Sequence, residues 1–134
     1  MDTSVLQSAL AEYFAPWVQA LGLKVENFDA DSVSLRLPQN ADLSRVGGML
    51  CGQAMMAAAD TAMVLALINQ SGQFRPCTTV QMSTSFLKPL SNQDALVQAR
   101  VLRAGKSLAF GEIDIRGADD GKSVCRASVT YALL

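Results

Sequence analysis

The chain has 134 residues, half of them hydrophobic, with eleven basic and twelve acidic side chains, a net charge of -1 and no histidine. That is enough apolar material for one domain with its own core, and the basic residues form no stripe of the kind phosphate-backbone binding needs, so nucleic acid is not an expected partner. The missing histidine excludes Ser-His-Asp and Cys-His nucleophile pairs, His-ligated metals and imidazole proton shuttles, which leaves any acid-base chemistry to carboxylates, lysines, tyrosines or cysteines.

The opening stretch carries no basic region followed by an apolar run, so no secretion signal is read and a cytoplasmic location is expected. Cys51, Cys77 and Cys125 are an odd number without paired short spacing, which suggests neither a disulfide framework nor a metal knuckle. Val5, Leu6, Ala9, Leu10, Tyr13 and Phe14 recur at helical spacing, predicting an amphipathic first helix that Pro16 ends or kinks. After Gly22, Val33, Leu35 and Leu37 alternate with Ser32, Ser34 and Arg36, predicting two short strands about a turn near Asp29 to Asp31. The stretch from Pro38 to Gly48 holds Asn40 and the Gly47-Gly48 pair and reads as a loop.

A long Ala- and Met-rich helix is predicted next, running to about Gln70, with Gly72 where a C-terminal cap belongs. It is apolar on every side except for Asp60 in its middle. The apolar run is shorter than the roughly 20 residues of a membrane span, and Asp60 would lie near mid-bilayer, so a buried core helix is expected and no membrane. An unpaired carboxylate in apolar surroundings costs several kcal/mol, so something must compensate Asp60.

Everything after Gly72 reads as strand: Val80 to Phe86, Ala95 to Arg103, Leu108 to Arg116 and Val124 to Leu133. The connections "SNQ", "AGK" and "GADDGK" are short and rich in turn residues, which predicts consecutive hairpins in an antiparallel meander. The two Gly-Lys-Ser triplets, at Gly105 and Gly121, lack the upstream glycine of a phosphate-binding loop and join strands, so they read as hairpin turns. The layout is one α+β domain over residues 1–134. A helix roughly 30 Å long and apolar all round requires a curved sheet wrapped about it, which is the architecture of the hotdog fold.

With that layout, "GGMLCGQAMMAAADTAM" and the stretch from "TTVQMSTSFLKPL" through "GKSLAF" to the final strand resemble the PaaI-like acyl-CoA thioesterases of the hotdog fold. The resemblance covers most of the chain. The family pattern places an Asn, a Gly and then His-Gly-Gly at the helix start, with an acidic residue nine positions after the His. Here Arg45 stands for the Asn, Gly48 for the Gly, Cys51 for the His, Gly52 and Gln53 for the glycine pair, and Asp60 for the acid. Three of these six positions depart from the pattern.

The resemblance implies hydrolysis of an acyl-CoA thioester, with CoA arriving on the substrate and no metal or redox cofactor. It implies the Gly52 N–H as oxyanion donor, in keeping with a first helical turn that has no Ser, Thr, Asp or Asn to cap it and a helix dipole that favours developing negative charge. The plainer reading of Gly47, Gly48 and Gly52, a tight turn, stays open. Asp60 would be general base or nucleophile, and the sequence does not choose. Thr79 matches a hydroxyl position that holds the attacking water. Arg45 would meet a substrate carboxylate or phosphate or stand as a solvated loop arginine, and Gln53 would add a donor at the helix start or sit on its surface. The turn Gly105-Lys106-Ser107, with Lys88 and Arg103 expected nearby in the sheet, would touch CoA phosphates. Cys51 has no base partner in the sequence and reads as a spacer in the His position. Gly52 and Asp60 lie about 12 Å apart on one helix, too far to grip one thioester, so a homodimer at minimum, or a tetramer, is expected to build the site from two chains. The competing reading is a non-catalytic module that binds acyl-CoA as a sensor or scaffold.

Overall fold

The computed structural model describes residues 1–134. Helix α1 (Thr3–Tyr13) opens on Asp2, whose carboxylate accepts from the Val5 N–H at 3.0 Å, and buries Leu6, Ala9 and Leu10. Pro16 does not merely stop it. It stands in the first turn of a short second helix, α2 (Pro16–Gln19), where a missing N–H costs nothing. Strands β1 (Lys24–Phe28) and β2 (Ser32–Leu37) form a hairpin whose turn Asp29 shapes by accepting from the Asp31 and Ser32 N–H groups. Helix α3 (Gly52–Ser71) follows, then β3 (Cys77–Phe86), β4 (Ala95–Ala104), β5 (Leu108–Gly117) and β6 (Ser123–Leu133).

All six strands form one antiparallel sheet in the order β1-β2-β4-β5-β6-β3. The expected meander is therefore corrected at one connection. "AGK" and "GADDGK" do close hairpins, β4 with β5 and β5 with β6, but "SNQ" does not. β4 pairs with β2, and β3 crosses to the far edge to pair with β6. Burial explains the choice. Ala95, Val97 and Ala99 of β4 are buried opposite Leu37, Leu35 and Val33, a central strand's inner face, whereas β3 is rich in Ser, Thr and Gln and has no buried residue.

The inner face of the sheet, with Val33, Leu35, Val97, Ile113, Ile115 and Val129, curves round α3 and buries its Ala58, Ala59, Ala62, Met63, Leu65 and Ala66. The alanines let the helix lie close to the strands. At Gly111 there is no room for a side chain between them, since a Cβ there would stand 2.3 Å from the Met63 sulfur. The helix ends as expected on Gly72, which adopts φ 85° and returns its N–H to the Ile68 carbonyl at 2.8 Å.

One strip of α3 is not covered. Gln53, Met56, Ala57, Asp60, Val64 and Leu67, spaced three and four residues apart, are exposed or half-buried. This strip runs beside β3, an edge strand with one free side. The central carboxylate lies on the strip, so the chain is spared from burying a charge in its core.

Candidate active site

The loop before α3 is tied down at several points. The Arg45 N–H donates to the Met49 carbonyl at 2.8 Å, the Leu50 N–H to Leu90 at 2.9 Å and the Cys51 N–H to Leu43 at 2.9 Å. Gly47 and Gly48 take φ 98° and 81°, left-handed values that fix the turn presenting Arg45. Cys51 is the N-cap residue and makes no side-chain cap bond. The N–H groups of Gly52, Gln53 and Ala54 meet no protein acceptor, so the first turn of α3 ends in free donors. The Phe86 ring lies against Gly52, 3.2 Å from where a Cβ would be, so packing also favours the glycine.

In front of that turn is a cavity of about 440 Å³ lined by Arg45, Met49, Leu50, Gly52, Met55, Phe86, Leu87, Lys88 and Pro89. Neither Arg45 nor Lys88 forms an ion pair. Gln53 projects from the exposed strip and does not line this cavity.

Asp60 stands eight residues further along α3, about 12 Å away at the helical rise. Thr79 of β3 donates to it, 2.9 Å from Oδ1 and 3.2 Å from Oδ2. A third residue completes the cluster. The hydroxyl of Tyr131, on β6, donates to Asp60 Oδ1 in a very short hydrogen bond and lies 3.0 Å from the Asp60 carbonyl oxygen. Tyr131 pairs directly with Thr79 across the two strands. Burial and the adjacent carboxylate push its phenol far above the ordinary range, so it keeps its proton and can donate it to the carboxylate. Cys77, two residues before Thr79, has its thiol pushed up by burial and by the Asp60 charge.

Tyr131 is not among the expected site residues. It lies in a strand that reads as ordinary core, in the same inner row as Cys125, Ala127 and Val129. A tyrosine in such a row needs a partner for its hydroxyl, and that is the signal the sequence offers.

The remaining group lies at the other end of α3. Arg103 is exposed opposite Phe110, and the turn Gly105-Lys106-Ser107 is held by Arg75 Nη2, which donates to the Lys106 carbonyl, and by the Leu133 N–H, which donates to Ser107. A small cavity of about 90 Å³ there is lined by Val64, Leu67, Cys77, Gly105 and Leu133 among others. The expectation that Lys88 lies near this turn is corrected. The Lys88 N–H bonds Val124 at one end of β6, while Ser107 bonds Leu133 at the other, roughly 30 Å away at the rise of a strand. Sequence proximity to β3 suggests neighbours, but β3 and the β4–β5 turn meet only at the Cys77 end.

A family model described as "Thioesterase superfamily" matches residues 47–124, the span holding α3, the Asp60–Thr79 pair and strands β3, β4 and β5. The chain belongs to the thioesterase superfamily. Relatives at sequence level include a protein of Thermoplasma acidophilum provisionally named an esterase, 24% identical over 86% of each chain. A similarly named Pseudomonas aeruginosa protein is 27% identical over 85% of this chain and 79% of its own. The crystal structure of a mutant of that protein, thioesterase PA1618, superposes with a TM-score of 0.87, 24% identity and coverage of 100% and 94%. The fold is also that of a hypothetical thioesterase from Streptococcus pneumoniae solved with coenzyme A, TM-score 0.76 at 18% identity, covering 84% and 85%. With the curved sheet and central helix already described, these make the fold the hotdog of the superfamily, and the chemistry of the superfamily is thioester hydrolysis.

Proposed function

We propose that this thioesterase hydrolyses acyl-CoA thioesters, in the manner of the PaaI-like group, at sites shared by two copies of the chain in the cytoplasm. The observation that carries the reading is the Asp60 carboxylate, half-buried on the uncovered strip of α3 with Thr79 bonded to it. Its pairing with free N–H donors on the same helix suits hydrolysis only if two helices lie antiparallel, so that Asp60 of one chain faces Gly52 of the other. The free side of β3 and the strip beside it are where a second copy would add its own β3, and a tetramer would pair two such dimers.

In that site the thioester oxygen would sit at the Gly52 N–H and the positive end of α3. The Thr79 hydroxyl, with its proton on Asp60, keeps lone pairs to hold a water beside Oδ2. As the water oxygen bonds the carbonyl carbon, its proton passes to Asp60. Collapse of the tetrahedral species breaks the C–S bond and releases the CoA thiolate, which takes up the proton. Attack by the carboxylate itself, through an anhydride that water then opens, leads to the same products. This chemistry calls for no metal or redox cofactor. Arg45 and Lys88, both unpaired, flank the cavity at the helix start and offer charge to an anionic part of the substrate. That the S. pneumoniae neighbour holds coenzyme A supports the choice of substrate.

The test is free-thiol release from acyl-CoAs of graded length and from phenylacetyl- and benzoyl-CoA, with wild type beside Asp60→Asn. Turnover in wild type and a loss of about a hundredfold or more in the variant are expected. Binding of CoA thioesters without turnover in either would instead favour a sensor or scaffold, the reading that Arg45 and Cys51 in the Asn and His positions speak for.

A further inference from the structure

We propose that Tyr131 is a positioning residue that clamps Asp60 Oδ1 and leaves Oδ2 as the oxygen that reacts, an inference that rests on the hydrolytic reading above. The two carboxylate oxygens are not equivalent. Oδ1 accepts from both Tyr131 and Thr79, while Oδ2 has only the longer contact to Thr79. The Tyr131 hydroxyl also lies 3.0 Å from the Asp60 carbonyl oxygen, so its one proton is shared within a single residue, with the shorter bond going to the carboxylate.

The grip is rigid because of where the tyrosine stands. It is 2% exposed, in the inner row of β6, and its strand is paired on both sides, by β5 at Ala109 and by β3 at Thr79. Asp60, by contrast, is on the open strip of α3, where an unrestrained carboxylate would rotate freely and be solvated on both oxygens. A donor from the buried side holds one oxygen and leaves the other with only the longer Thr79 contact.

Few other ionisable groups bear on Asp60. Asp60 is the only charged residue of α3, and the inner rows of β2, β4, β5 and β6 contribute only Tyr131 and, six residues back along β6, the buried thiol of Cys125. β3 brings Cys77, and Glu12 of α1 lies at the Ile68 end of the helix, two turns further on. Removal of the Tyr131 hydroxyl should therefore act on Asp60 with little interference.

The experiment compares wild type, Tyr131→Phe and Thr79→Val, each measured for kcat and KM and each crystallised. Phenylalanine keeps the ring that fills the core. In Tyr131→Phe we expect kcat to fall about tenfold or more with KM within twofold, and the Asp60 carboxylate to leave its clamped position. Thr79→Val should lower kcat while leaving the carboxylate where Tyr131 holds it. A Tyr131→Phe enzyme with wild-type kcat, or a variant structure with the carboxylate unmoved, would overturn the proposal. If wild type hydrolyses no thioester, the functional reading fails separately, and the crystal structures alone still decide whether Tyr131 positions Asp60.

Discussion

Asp60 shows what a single residue announces in a sequence and what it conceals. Its isolation in an apolar helix is legible, and so is its need for compensation. Thr79 is reachable through the family pattern. Tyr131 is not, because it is separated from Asp60 by most of the sheet and its row looks like plain core. A second carboxylate, Asp94, is also unremarkable in the sequence. It accepts from the Gln39 N–H at 2.7 Å and from Arg36 Nη1 at 3.1 Å, tying the loop after β2 to the start of β4. The Gln39 N–H first, then Arg36, holds its carboxyl below the ordinary carboxylate range. A carboxyl lowered in the folded state stabilises it above its unfolded titration range and loses that contribution as pH falls through the lowered one. Asp94→Asn should therefore melt a few degrees below wild type at neutral pH, with the gap closing in acid, as thermal unfolding across pH would show. A gap that stays constant with pH would assign the effect to shape rather than charge.

Among the elements, the central helix, its glycine cap and the strand spans are legible because each depends on local periodicity. Pairing order is not, since alternation says that a strand has an inner face without saying who its neighbour is. Composition holds the missing clue: Ala95, Val97 and Ala99 suit a centre, while Thr78, Gln81, Ser83 and Ser85 suit a rim. The misplacement of Lys88 follows from the same error. Contact between elements also depends on glycines whose role no local pattern reveals. In Gly111→Ala the new methyl would meet the Met63 sulfur and, at 2.9 Å, the Arg100 carbonyl oxygen. The side chain can yield but the carbonyl cannot, so a loss of about 2 to 3 kcal/mol in denaturant unfolding is expected. A neutral result would mean that β4 and β5 part more easily than their packing implies.

At the scale of the whole molecule, the distance between Gly52 and Asp60 makes the single chain an incomplete catalyst under the proposed reading. That can be tested by complementation. Gly52 is the first helical residue, a position that accepts proline, so Gly52→Pro removes the N–H and is compatible with the helix once the Phe86 ring yields slightly. Asp60→Asn and Gly52→Pro chains should each be inactive alone. Refolded together, a hybrid pair regains one site with both groups intact, and about a quarter of wild-type activity is expected from random pairing. Sites confined to one chain would regain nothing.

The position of β3 at the rim has a further consequence, for the order in which the chain can be built. Its only hydrogen-bonded neighbour within the chain is β6, which the ribosome makes after β4 and β5. Until β6 emerges, β3 has no partner, and Thr79 has no Tyr131 beside it. Such long-range pairing is slow, and an unpaired strand is exposed to misassociation while it waits. The hydrophilic Ser, Thr and Gln side chains that mark β3 as a rim strand are suited to that interval, since they keep the waiting segment soluble. The same strand then closes the sheet and brings the Asp60 cluster together in one late step, so a nascent chain holds no assembled Asp60 cluster before its fold is nearly complete.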